Sequence, residues 1–187
     1  TDVLWVIHPR QWSPDTLSKI KQYVESGRHA LIQVDPNVES APVLSVSDTS
    51  LSNLYLGSDL EPLFGAWGVG FKPDQVVLDS KFAWLMQLDE NQFPKRNPAL
   101  LSLPPKAMNQ NDQATAALDR IVLSSAGALT LKEDSPLSIE PLLQSSDSSR
   151  LISVDEFRKS SNDPESLLNG FVSTQEPFVL AARFNGR

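Results

Sequence analysis

The 187-residue sequence has no cysteine and only two histidines, His8 and His29. Missing thiols exclude a cysteine nucleophile, a disulfide framework and any thiolate metal site. The two imidazoles flank different strand-like runs at opposite edges: His8 closes "DVLWVIHP" and His29 opens "HALIQVDP". They do not form a two-histidine site, and no metal and no cofactor is expected. Positive charge is also short. With 16 Lys and Arg against 23 Asp and Glu, the net charge is −7, and Lys95-Arg96 reads as solvated loop. An acidic chain repels a phosphate backbone, which argues against nucleic acid as a partner. No apolar run reaches the roughly 18 residues of a membrane-spanning helix, and no signal peptide opens the chain. Glycines number eight, and three of them, Gly65, Gly68 and Gly70, fall in "GAWGVGF". A phosphate loop follows a strand and opens a helix. These glycines close a helix, so they read as a stop and a tight turn.

Enough apolar sequence is present, 40%, to build a core, and the length suits one domain spanning residues 1–187. "DVLWVIHP" reads as a strand buried on both faces. A helix follows in "WSPDTLSKIKQYVESG". Ser13 is its N-cap, Pro14 its first residue, Asp15 complements its positive end, and Gly27 stops it. Trp12 and Leu17 have the spacing of a hydrophobic staple. Leu17, Ile20 and Val24 share one helical face. "HALIQVDP" is the second strand, so the unit is strand, helix, parallel strand. Residues 37–53 form a polar excursion. Leu60, Leu63, Phe64 and Trp67 then mark a short amphipathic helix, capped by Asp59 and ended by Gly68. "DQVVLD" is a third strand. Between 80 and 117 periodicity fails, and the stretch reads as a polar insertion packing through Phe82, Trp84 and Leu85. Strands are expected near 120–124, in "LSIEPLLQSS", in "RLISV" and in "PFVLAARF", with a short helix in "DPESLLNG". The expected fold is α/β, a mostly parallel central sheet flanked by helices.

In such a sheet ligands meet the carboxyl ends of the strands. His8, Asp35, Asp79 and Ser125, with its neighbour Ser124, all fall at expected strand ends, so a rim built from them is the candidate binding site. Asp35-Pro36 has a simpler reading as well. Asp before Pro is a turn residue whose carboxylate accepts local backbone N–H groups, and the residue before proline is held extended. "SSAG" at 124–127 lacks the G-x-S-x-G frame of a nucleophile elbow. A serine hydrolase would have to use Ser124 or Ser125 with His8. Trp12 and Trp84 are the aromatic candidates for stacking on a glycan.

Four stretches, "DVLWVIHPRQWSPDTLSKIKQYVESGRHALIQVDP", "LEPLFGAWGVGFKPDQVVLD", "RIVLSSAGALTL" and "PFVLAARFNG", together resemble the auxiliary component of ABC-type transport systems associated with gliding motility. The resemblance implies a Rossmann-like module, similar to those of intraflagellar-transport proteins and glutamine-amidotransferase relatives. It implies a domain outside the cytoplasmic membrane, on the periplasmic face, with an ABC permease and its ATPase as partners. It brings no catalytic residues. Residue 1 is not Met and strand-like sequence begins at once, so a piece of a longer, membrane-anchored protein is expected. The expected function is non-enzymatic binding of protein partners or of transported substrate. The alternatives are an amidotransferase-like or serine-hydrolase-like enzyme at the strand-end rim, and a glycan-binding module.

Overall fold

A computed structural model describes residues 2–38, 57–87 and 93–186. Most of the 37–53 excursion lies outside the described residues. β1 (Val3–Ile7) and β2 (His29–Gln33) pair in parallel, from Val3 opposite His29 to Ile7 opposite Gln33, and α1 (Pro14–Glu25) joins them. Ser13 caps α1 as its sequence indicates: its backbone is extended and its hydroxyl accepts from the Thr16 N–H at 3.2 Å. Past the helix end Gly27 turns the chain at φ 84°, a conformation that costs glycine little. Leu17 and Ile20 pack onto Val6. Leu60, Leu63 and Phe64, from the start of α2 (Glu61–Trp67), complete this cluster with Val69 of β3 (Val69–Phe71). α2 is capped by Leu60 rather than Asp59, whose N–H instead donates to the Pro9 carbonyl at 2.8 Å.

β1 is not buried on both faces. Val6 is buried, but Val3, Trp5 and Ile7 are 51%, 61% and 55% exposed, and Leu31 of β2 is 51% exposed. α1 covers one side of the pair. A continuous apolar run announces a strand, but says nothing about whether a second layer exists to cover its other face.

The mostly parallel, Rossmann-like sheet is overturned. Among the described residues strand accounts for 36% and helix for 20%, and β1–β2 is the only parallel pair. β4 (Gln75–Asp79) pairs antiparallel with β10 (Ser149–Ser153). β5 (Ala83–Met86), β6 (Lys95–Leu103) and β7 (Ile121–Ser124) form an antiparallel three-stranded sheet in that order. β8 (Leu129–Leu131), β9 (Ser138–Gln144) and β11 (Val179–Asn185) join β3 in a four-stranded sheet, ordered β3-β8-β11-β9. The physical reason lies in the connections. Parallel neighbours need a crossover of a dozen or more residues, usually a helix. After β4 several links are short, such as 80–82, 125–128 and 145–148, and among the described residues only α3 (Val154–Lys159) and 3-10 turns at Pro105–Ala107 and Pro164–Leu168 interrupt the strands.

The stretch 80–117 is likewise corrected from insertion to core. β6 is the longest strand and lies at the centre of its sheet, with Ala99, Leu101 and Leu103 almost fully buried. Pro98 has no N–H for a ladder bond. It falls where the register against β5 jumps from Asn97–Trp84 to Leu101–Ala83, which is how a central strand tolerates proline. The Asn97 side chain accepts from the Ala99 N–H at 3.0 Å beside it. Phe82 is buried among Val77, Leu101, Leu103 and Met108, Trp84 is half-buried and Leu85 is 59% exposed. No helix among the described residues is long and apolar enough to cross a membrane.

Candidate functional site

The parallel pair ends in a polar knot. β1 gives way to His8, whose φ is 43° and whose N–H donates to the Gln33 carbonyl at 2.9 Å. His8 Nδ1 lies 2.9 Å from the hydroxyl of Ser58, which also accepts from the Asp35 N–H at 2.8 Å. The Ser58 N–H returns a bond to the Asp35 carbonyl at 2.7 Å. The Asp35 carboxylate accepts from the Asn37 N–H at 2.8 Å, which is the Asx-type turn that Asp before Pro favours. Asn37 is itself a hub. Its carbonyl accepts from Ser125 Oγ at 3.1 Å and its side-chain oxygen accepts from Arg158 Nε at 2.9 Å. Ser125 holds a φ of 45° and is buried at the end of β7.

His8, Asp35 and Ser125 are thus tied together, through Ser58 and Asn37. Asp79 stands apart. It is completely buried, and its two carboxylate oxygens accept from the N–H groups of Lys81, Phe82 and Ser146 and from Ser146 Oγ, at 2.6–2.9 Å. It staples the β4–β5 turn to the β9–β10 turn. Ser58, Asn37 and Arg158 carry no sequence signal at short range. Arg158 reaches Asn37 across 121 residues, and only the fold brings them together.

The chemistry of the knot follows from its hydrogen-bond bookkeeping. Ser58 is buried, and its hydroxyl both accepts from the Asp35 N–H and bonds His8 Nδ1, the direction of the second bond following the imidazole tautomer. Burial lowers the His8 pKa from 6.5, and the Arg10 guanidinium lowers it further. His8 Nε2 and Arg158 Nη2 are buried without a hydrogen-bond partner. Arg158 Nη2 is an N–H donor, which suits a carbonyl or carboxylate oxygen and repels a metal cation. Among the described residues no three of His, Asp and Glu gather closely enough to hold a metal ion. The Ser58–His8 distance matches that of a nucleophile and its base. Yet the hydroxyl is sealed from solvent, and the Asp35 carboxylate turns to Asn37, so the pair acts as a strut. Ser125, at 1% exposure, has its hydroxyl committed to Asn37.

A second feature is apolar. Paired residues of neighbouring strands point to the same side of a sheet, so Val3, Trp5 and Ile7 share a face with Leu31, Trp5 lying directly opposite it. All four are more than half exposed. Trp12, by contrast, is half-buried against the α1 cluster.

The family model described as "ABC-type uncharacterized transport system" matches residues 1–187. No curated protein and no solved structure matches the chain.

Proposed function

The chain belongs to the family of ABC-type uncharacterized transport systems, auxiliary components of such transporters, and on that premise we propose that it is a non-enzymatic, partner-binding domain of the transporter. The observation that carries this reading is the open β1–β2 face. Four large apolar side chains on one regular surface cost solvation free energy, on the order of 25 cal/mol per Å² left in water. Contiguous exposed apolar surface of this kind marks interaction sites, and aromatic anchors such as Trp5 dominate interface energetics. The strand-end knot supports the non-enzymatic part, because the hydroxyls of Ser58 and Ser125 are spent on structural bonds. The permease and ATPase subunits are the partners proposed. The resemblance to gliding-motility auxiliary components supports a place on the periplasmic face, with anchoring by segments outside residues 1–187.

The test uses the full-length protein in its native membrane. Trp5→Glu combined with Leu31→Glu places two charges on the face. Expected is loss of co-purification with the transporter subunits, with the melting temperature of the variant little changed because both residues are exposed. Undiminished co-purification would reject the assignment. For location, the chain has no cysteine, so Val172→Cys, at a position 76% exposed, gives one thiol in this region. A membrane-impermeant maleimide should label it in intact spheroplasts, whereas labelling only after lysis would place the domain inside.

A further inference from the structure

The sheet β5-β6-β7 turns a different surface to solvent. Its inner side carries Leu101 and Leu103 into the core. Ser102 points the other way by strand alternation and lies opposite Val122 of β7. On this outer side Ala83, Trp84, Leu85, Ser102 and Arg120 line an open depression of about 250 Å³. Val122, 45% exposed and opposite Ser102, adds apolar surface beside it.

Arg120 gives the depression its chemistry. Its guanidinium sits 5.7 Å from the centroid of the Trp84 ring. A ring contact of this kind does not use up the N–H donors of the guanidinium fork. No carboxylate and no carbonyl takes them up among the described residues. Arg28 and Lys106 also lie over aromatic rings, those of Tyr23 and Phe82, but of these three cations it is Arg120 that lines the depression. The vacant complement is therefore a carboxylate flanked by aliphatic groups. A sugar ring stacks on an open indole face, and here Arg120 lies over that face.

We propose that the Trp84–Arg120 cleft docks an acidic protein segment, its carboxylate paired with Arg120 and a neighbouring aliphatic side chain laid along Trp84 and Val122. This does not depend on the transport assignment, and involves a different sheet from the β1–β2 face. The pair would be charge-assisted and bidentate, and weakened by salt.

The probes are hexapeptides of three Leu-Glu, three Leu-Gln or three Leu-Lys repeats, titrated into ¹⁵N-labelled protein while the Trp84 indole and Arg120 Nε signals are followed. Expected is saturable movement of both signals with Leu-Glu, and binding about tenfold weaker for Leu-Gln. Arg120→Glu should reverse the preference in favour of Leu-Lys, a gain that a misfolded variant would not show. Arg120→Gln, with unchanged melting temperature, should lose the discrimination between Leu-Glu and Leu-Gln. Equal response to Leu-Glu and Leu-Gln, or an Arg120→Glu variant that still prefers Leu-Glu, would overturn the proposal. So would movement of the same signals by a neutral hexasaccharide and not by Leu-Glu, which would make the cleft a glycan site.

Discussion

At the scale of single residues, two polar side chains that share a strand-end position do different work. Asp79 accepts four hydrogen bonds in complete burial. Asn at that position keeps the shape but turns an NH2 group toward donors. Asp79→Asn should lower the unfolding free energy by about 3 kcal/mol, the scale of hydrogen bonds to a buried charge, as read from urea denaturation. His8 sets a pH dependence. Its folded pKa lies below 6.5 because burial, and then Arg10, disfavour the imidazolium. Below about pH 6.5 the unfolded chain takes up a proton that the folded one refuses, so stability is full above that value and falls as the pH drops toward the folded pKa. His8→Asn keeps a hydrogen-bond partner for Ser58 and tolerates the positive φ. It should flatten the loss between about pH 7.5 and pH 5, measured as urea midpoints. Asp112 and Asp147 act further down. The Ala114 N–H and Arg183 lower the first, Lys81 and Ser148 the second. Their contributions are present above the ordinary carboxylate range and are lost in acid, with or without His8. Of the candidate site, the turn role of Asp35 was legible, because Asp-Pro carries its own hydrogen-bond logic. The pairing of His8 with Ser58 was not, since a residue 50 positions away leaves no local trace.

At the scale of elements, local chemistry and long-range pairing separate cleanly. α1 is written in its ends: Ser13, Pro14 and Gly27 fix where it starts and stops. Ser13→Ala should cost about 1 kcal/mol, the usual loss of an N-cap hydroxyl, seen as a lower thermal midpoint without change in the β-sheet signal of circular dichroism. Gly68 ends α2 at φ 68°, and a β-carbon there would stand 2.7 Å from the Ser135 side chain. Gly68→Ala should therefore be more damaging than Ser13→Ala in the same assay. Strand positions were legible for β1, β2, β4, β7, β9, β10 and β11 because β-branched runs and turn residues bound them. Strand direction was not, since an apolar run has no sign. β6 was missed because Pro98 and the Asn- and Pro-rich flanks around it mask the alternation of Ala99, Leu101 and Leu103. Once a register jump absorbs the proline, that alternation is plain.

At the scale of the whole molecule, one parallel pair with a helix on one side is joined to antiparallel sheets carrying the rest of the core. The expected flanking helices on both faces of a broad parallel sheet are replaced by strands, and the β1–β2 pair keeps one apolar face uncovered. That face is the centre of the proposed function, in which a transporter subunit would cover it. Site-specific photocrosslinking tests this most directly. The full-length protein would carry p-benzoylphenylalanine in place of Ile7, with a second variant bearing it in place of Val172, and both would be irradiated in native membranes. The account predicts an adduct between the Ile7 variant and a permease or ATPase subunit, with none from Val172. No transporter adduct from the Ile7 variant, or one formed only from Val172, would contradict it.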